Sequence, residues 1–238
     1  PLLRRALAAP MHRARATPPG APPLASPLAR AAALHLGVLA GPERVEARAL
    51  RDLGRAWQAA IDDEGTAGAL LARELALGAD GRSDALRRVA ERATDELSWL
   101  IERGRVPLRR VRGRGLIAAA GARVRDRLLG ELQEEAERIH ARALDPDQDV
   151  LTPAEEWRAI ARLRERHAAA VAVLGAEGRR IAWEIVHPAL SAVAVRLFNV
   201  RLERSIAHAT FRFLAAEAEA VGDGENQGIH ERNQLCGW

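Results

Sequence analysis

Arginine is concentrated in one short stretch, RGRVPLRRVRGRG at residues 103–115, which holds six arginines and no acidic residue. Each arginine that neutralises a phosphate releases a condensed counterion, and the glycines leave the backbone free to follow a polyanion. This segment, the arginine connector, therefore predicts a nucleic-acid contact. The phosphate-binding candidates are Arg105, Arg109, Arg110, Arg112 and Arg114. The alternative is a solvated link between helices, with its arginines paired to acidic residues on either side.

Composition limits what the number of arginines can mean. The chain has no lysine, so all 36 basic residues are arginine, and tyrosine is absent as well. Both missing residues have A/T-rich codons, which indicates a GC-rich coding sequence. The formal net charge of only +4 is modest for 238 residues. The position of each arginine therefore carries more information than the total.

The charge alternates along the chain, and one block stands out. Residues 103–127 carry a net charge of +8, with Asp126 as their one acid. The flanking blocks are acidic, at −4 for residues 43–102 and −5 for residues 128–177. Such alternation allows ion pairs between neighbouring helices, but it leaves the block around the arginine connector with an excess of positive charge.

Several patterns resemble metal sites without completing one. Glu137 with His140, and Glu184 with His187, have the Glu-x-x-His spacing of di-iron bundles. No acids fall at matching depth on the neighbouring helices, and His187 precedes a proline. A calcium-loop-like run at residues 145–156 has Val150 where the sharp turn needs glycine. We therefore expect no metal and no cofactor.

Nothing in the sequence predicts catalysis. His167 lies on an apolar helical face, where a lone histidine is typical of a packed position. Cys236 is the only cysteine, which excludes an intrachain disulfide and a cysteine-based zinc cluster. No glycine-rich phosphate loop, nucleophile elbow or Cys–His pair occurs. The expectation is a protein that is not an enzyme.

Residues 161–204 resemble the helix-turn-helix of bacterial sigma-factor region four. The resemblance is carried by ARLRERHAAAV, by EG at 177–178, by EIV at 184–186 and by VAVRLF at 193–198. It implies a DNA-reading helix that begins near Ala189, within a segment at 179–204. Arg196, Asn199 and Arg201 would then face the DNA. The departures are Trp183 at a close-packing position and His187 in place of the usual turn glycine. The alternative is two packed helices of a bundle.

Apolar residues recur at helical spacing from residue 42 onward, which predicts an all-α protein of helical hairpins packed into an elongated bundle. The expected domains are a disordered basic or targeting segment at 1–41, a helical subdomain at 42–102, the arginine connector, a helical subdomain at 116–221 and a flexible tail at 222–238.

Several helix boundaries in the second subdomain follow from specific residues. Thr152, Pro153 and Glu155 form a capping box that starts a helix, which ends at Gly175. The next helix begins at Arg179, and Pro188 kinks or ends it. A final amphipathic helix is expected over residues 195–213.

The leading function hypothesis is a non-enzymatic helical protein that associates with nucleic acid through the arginine connector. The competing hypothesis is a helical scaffold or assembly subunit that contacts other helical chains or further copies of itself. No charge-free apolar run reaches 18 residues, so no membrane partner is expected. The single cysteine favours an intracellular, reducing location, cytoplasmic or organellar, over secretion.

Overall fold

A computed structural model describes residues 27–40, 45–145, 152–200 and 203–235, and all the regular structure within them is helical. The all-α prediction is confirmed. The helices are α1 Pro27–Ala40, α2 Ala47–Asp62, α3 Glu64–Ala76, α4 Arg82–Arg103, α5 Leu116–Leu144, α6 Pro153–Asn199, α7 Arg204–Val221 and α8 Gly224–Leu235, with a 3₁₀ turn at Leu108–Arg110. The chain forms two compact units, Pro1–Val124 and Arg125–Trp238. Their boundary falls inside α5, beyond the arginine connector where the sequence placed the division.

The first unit is built on α2, whose apolar stripe packs inward. Leu50, Leu53 and Trp57 are buried as the helical spacing predicts. α2 packs against α1, α3 and α4. Between α3 and α4, the buried carboxylate of Glu74 accepts two hydrogen bonds from Arg92, at 2.5 and 2.8 Å. The unit therefore has both an apolar core and a polar cross-link.

Part of the segment predicted at 1–41 as disordered or targeting is described by the structure, and residues 27–40 are helical. They form α1, which buries Ala31, Ala32 and His35. The apolar run AAALHLGVLA supplies a face that packs on α2, and His35 Nε2 lies 3.2 Å from Glu96 Oε1 on α4. Burial of this face offsets the entropy of ordering the segment. Residues 1–26 lie outside the described part of the chain.

α6 reverses direction at Gly175, which has φ 78° and ψ −162°. Ile160 and Val193 line the same small cavity although they are 33 positions apart. An unbroken helix would hold them about 50 Å apart. The two arms of α6 therefore lie antiparallel, and the predicted end of a helix at Gly175 is confirmed. The predicted capping box of Thr152 and Glu155 is also present at the start of α6.

Pro188 was expected to kink or end a helix, and the structure shows that it does not end one. The second arm of α6 continues through it to Asn199. Proline inside a helix costs about 3 kcal/mol through a lost hydrogen bond and a steric clash. Ala189, Leu190 and Val193 are buried directly after it in the core of the second unit, and their burial outweighs that cost. The predicted final helix over 195–213 is instead divided, because α6 ends at Asn199 and α7 begins at Arg204.

Within the tail expected to be flexible at 222–238, Gly224–Leu235 is helix α8. Gly222 adopts a left-handed conformation that ends α7. Asp223 then accepts a hydrogen bond from the Asn226 backbone N–H at 3.2 Å, as a helix N-cap does. The sequence GDGENQG therefore contains the stop signal of one helix and the start signal of the next.

By length and composition alone, α6 is the one described helix that could cross a membrane. Val186, Leu190 and Leu197 of its second arm are buried in the helical core of the second unit.

Candidate nucleic-acid interface: the arginine connector

The arginine connector begins with a helix-ending motif that carries an unusual residue. The Val106 N–H donates to the Ile101 carbonyl and the Arg105 N–H donates to the Glu102 carbonyl, both at 2.9 Å. This pair of bonds is a Schellman motif, whose left-handed position is usually glycine. Here Arg105 occupies that position with φ 46°. Arg105 is the only described residue other than glycine with a positive φ.

Gly104 explains why arginine takes the left-handed position. Gly104 itself has a right-handed helical conformation, with φ −79°. A Cβ atom on it would lie 2.9 Å from Val45 Cβ and 3.2 Å from the Leu100 carbonyl oxygen. The glycine is therefore required for a close approach. The left-handed turn falls one residue later, on Arg105, at a cost of about 1 kcal/mol relative to glycine.

Two buried apolar residues anchor the connector. Val106 and Val111 are 4% and 3% exposed, and they flank the 3₁₀ turn. Pro107 starts that turn, because its carbonyl accepts from the Arg110 N–H at 2.8 Å. Arg51 of α2 also donates to the Arg110 carbonyl. The connector is consequently an ordered structure with two buried side chains.

The glycines of the RGRG sequence are fixed by contacts, which corrects the expectation that they leave the backbone free. A Cβ on Gly113 would lie 2.4 Å from Ile117 Cγ2. Gly115 has φ 62°, and a Cβ there would lie 2.5 Å from Gln58 Oε1. The same Gln58 oxygen accepts from the Leu116 N–H at 3.4 Å. These glycines allow close packing at the start of α5.

All five predicted phosphate-binding arginines of the connector are exposed. Within the described ranges, no carboxylate lies within ion-pair distance of any of them. Arginines on the neighbouring helices differ, since Arg55 pairs with Asp52 and Arg123 pairs with Asp95. The alternative interpretation requires connector arginines that pair with the flanking acidic helices. The described part of the molecule contains no such pair.

Three of the connector arginines border a common groove. Arg103, Arg105 and Arg110 line an open cavity of about 840 Å³, together with residues 45–47 at the start of α2. Glu46 contributes one carboxylate to the lining. The Arg103 guanidinium also lies over the Trp99 ring, 5.1 Å from its centroid. The groove therefore concentrates positive charge where a flexible anionic chain could lie.

The second predicted interface, at 179–204, lacks the geometry of a helix-turn-helix. No helix begins near Ala189, which is 1% exposed within the second arm of α6. The two helices of a helix-turn-helix cross at about 90–120°, whereas residues 179–199 form one continuous helical arm. Arg196 donates to the Arg142 carbonyl at the end of α5. Asn199 is exposed at the helix end, and Arg201 lies outside the described residues. The structure therefore does not form the predicted helix-turn-helix.

The other arginines of that segment are engaged by neighbouring groups. Arg179 donates two hydrogen bonds of 2.9 Å to the carboxylate of Glu217 on α7, which raises the pKa of Arg179. His167 Nε2 lies 3.8 Å from the same carboxylate. Burial lowers the pKa of His167, with Glu217 opposing that shift and Arg179 adding to it. Arg179 therefore serves as a structural link between α6 and α7.

The metal-site patterns do not assemble in the described part of the chain, where no group of three or more His, Cys, Asp or Glu side chains could hold a metal ion. Glu184 pairs with Arg180, 3.4 Å away, and not with His187. Residues 146–151 of the calcium-like run lie outside the described ranges, and Glu156 at its end is buried.

The second unit contains a histidine pair that was not predicted from the sequence. His187 Nε2 of α6 lies 3.0 Å from His230 Nε2 of α8. Burial lowers the pKa of both imidazoles, and that of His230 falls to about 4. His230 was missed because it belonged to the expected tail. The Asp-Gly-Glu-Asn start signal at 223–226 could have indicated the helix that carries it.

No protein-family model matches the sequence, and neither the curated proteins nor the solved structures contain a significant match. The local geometry of the chain is therefore the basis for any functional proposal.

Proposed function

We propose that this protein binds the sugar-phosphate backbone of nucleic acid through the arginine connector. The observation that carries the proposal is that the five predicted phosphate-binding arginines are exposed on an ordered turn, without carboxylate partners among the described residues. Guanidinium groups donate strong bidentate hydrogen bonds to phosphate oxygens. Contacts of this type position a polyanion and carry no sequence information. The proposal is therefore backbone binding without base specificity.

The conformation of Arg105 supports the same proposal. A non-glycine residue in a left-handed conformation is strained, and such strain is concentrated at functional sites. Glycine at position 105 would relieve the strain but remove one guanidinium from the groove that Arg103 and Arg110 also line. The presence of arginine at a position where glycine would be unstrained favours a role for its charge.

The test is a fluorescence-anisotropy titration of a labelled 20-nucleotide single-stranded RNA and a 20-base-pair duplex DNA at several salt concentrations. If all five arginines neutralise phosphates, the slope of log K against log salt is about −3.5 for the single strand and about −4.5 for the duplex. A variant with Arg→Gln at all five connector positions should lose most of this slope.

A charge-matched control separates the connector from net charge. Arg48, Arg55, Arg87, Arg166 and Arg180 are exposed on helices and each pairs with a carboxylate. Replacing these five with glutamine removes the same charge and should leave most of the affinity. Equal losses in the two variants, or no salt-dependent binding by the wild type, would contradict the proposal.

A further inference from the structure

The docking of α8 depends on one buried side chain. Of the twelve residues in Gly224–Leu235, only His230 is buried, at 3% exposure. The helix contains two glycines and two asparagines, which are poor helix formers. An isolated helix of this length is unstable in water. The helical state of α8 is therefore maintained by its packing around His230.

His230 is held by an aromatic pocket and a second imidazole. Its ring stacks on Phe211 with centroids 6.0 Å apart, and Trp183 approaches it edge-on at 6.5 Å. The His187 ring packs against Trp183 at 4.6 Å. The two Nε2 atoms at 3.0 Å form an N–H···N hydrogen bond, which requires one bare nitrogen. This bond cannot form when both imidazoles are protonated.

The tautomers can be assigned from burial. His230 Nδ1 is buried without a hydrogen-bond partner in the described part of the chain. A buried N–H without an acceptor is rarer in proteins than a buried acceptor without a donor. The proton of neutral His230 therefore lies on Nε2 and is donated to His187 Nε2. Protonation of His187 removes this acceptor and places two N–H groups against each other.

We propose that α8 is a pH-sensitive element, which stays docked on α6 and α7 while the His187–His230 pair is neutral and undocks when the pair is protonated. Acid conditions would expose the ring faces of Trp183 and Phe211. The inference concerns the second unit and does not rest on nucleic-acid binding by the arginine connector.

One carboxylate near the histidine pair, that of Asp223, partly opposes the effect of protonation. Asp223, in the turn between α7 and α8, accepts from Trp183 Nε1 at 3.1 Å and from Asn226 Nδ2 at 2.7 Å. These bonds lower the pKa of Asp223, so it remains ionised and partly stabilises protonated histidines. The nearest charged neighbours in sequence are exposed on their own helices: Glu184 on α6, Arg212 on α7, and Glu231 and Arg232 on α8.

The direction of the pH effect follows from the pKa of His230. Burial lowers this pKa from 6.5 to about 4, and the proximity of His187 adds to the shift. A group whose pKa is lowered in the docked state favours docking fully above pH 6.5. That contribution decreases as the pH falls from 6.5 towards 4, by up to about tenfold in the docking constant per pH unit.

Hydrogen exchange of the full-length chain at pH 7.5 and pH 4.5 tests the proposal. After correction for intrinsic exchange rates, amides in Gly224–Leu235 should lose about tenfold to hundredfold protection at pH 4.5. Amides in the centre of α5 should retain theirs. Unchanged protection of α8, or a parallel loss in α5, would overturn the proposal of local undocking.

Matched variants make the test specific. His230→Phe keeps the ring packing and removes one of the two titrating groups, so the loss of α8 protection between pH 7.5 and pH 4.5 should become smaller than in the wild type. His140→Gln on α5 should retain the wild-type response. If the phenylalanine variant does not fold, an NMR titration of the wild-type imidazoles replaces it, and a His230 midpoint near 6.5 would overturn the proposal. Loss of α8 protection in EDTA at pH 7.5 would assign the pair to a metal and also overturn it.

Discussion

Two of the blocks with a net positive charge, residues 178–204 and the arginine connector, differ in how the structure uses their arginines. In residues 178–204, Arg179 pairs with Glu217, Arg180 pairs with Glu184 and Arg196 donates to a carbonyl. In the arginine connector, the five predicted phosphate-binding arginines are exposed and have no carboxylate partner among the described residues. The comparison shows that local geometry decides whether an arginine is neutralised.

The reason for the difference lies in secondary structure. A helix places residues four positions apart side by side, so Arg180 reaches Glu184 within its own turn. No acidic residue lies between position 103, where the connector begins, and position 125. The extended and 3₁₀ segments of the connector also do not place residues four positions apart side by side. Its charge can therefore be neutralised only by a group from elsewhere.

The largest expected effect on stability is at the Arg179–Glu217 ion pair. Glu217→Ala leaves Arg179 without its bidentate partner in a partly buried site. The expected loss is about 2 kcal/mol, below the range for fully buried pairs because a third of the Arg179 side chain is exposed. Urea denaturation measures it. Glu184→Ala, whose partner Arg180 is exposed, should cost about 0.5 kcal/mol or less. Equal losses in both variants would contradict this account.

The next effect concerns the packing that shapes the connector. Gly104→Ala places a methyl group 2.9 Å from Val45 Cβ, and we expect it to lower the free energy of unfolding by about 2 kcal/mol. The control is Gly130→Ala in α5, where no atom lies within 4 Å of the added methyl group. That change should stabilise the protein by about 0.7 kcal/mol through helix propensity. Thermal or chemical denaturation distinguishes the opposite signs.

A smaller effect separates stability from binding at Arg105. Arg105→Gly should raise the free energy of unfolding by about 1 kcal/mol, because it relieves the left-handed strain. The same change should weaken nucleic-acid binding, since one guanidinium is lost. Arg105→Ala should weaken binding equally without the gain in stability. Denaturation and anisotropy on the three proteins test both effects, and a glycine variant with wild-type affinity would remove Arg105 from the interface.

The smallest effect on stability is expected for a free arginine of the connector. Arg109→Gln should change the free energy of unfolding by less than about 0.5 kcal/mol. It should reduce the salt slope of nucleic-acid binding by about 0.7 to 0.9. Arg196→Gln should show the reverse pattern, with binding unchanged and stability reduced by about 1 kcal/mol, because it deletes a hydrogen bond. If the two variants behaved identically, the proposed difference between the arginine connector and residues 178–204 would be contradicted.

Local signals predicted the helices and several of their ends. Periodicity placed Leu50, Leu53 and Trp57 in the core, and the capping box at Thr152 and the turn at Gly175 were both visible in the sequence. Long-range packing was not visible. Pro188 is accommodated because the residues after it are buried, and α8 is ordered by contacts with residues about 40 positions away. For the connector, the sequence identified the arginines that are candidates for phosphate binding. It did not identify the left-handed conformation of Arg105, which depends on the close approach of Gly104 and Val45.

The turn at Gly175 also sets the rotational phase of the second arm of α6. Its φ and ψ values belong to a region that only glycine occupies readily, so the point of reversal is fixed to one residue. Each residue inserted between Gly175 and Ala182 would rotate the rest of the arm by about 100°. One insertion would bring Ile181 to the phase of Ala182, and two would bring Arg180 there. Chain length after the turn is thus as strongly constrained as the identity of the core residues.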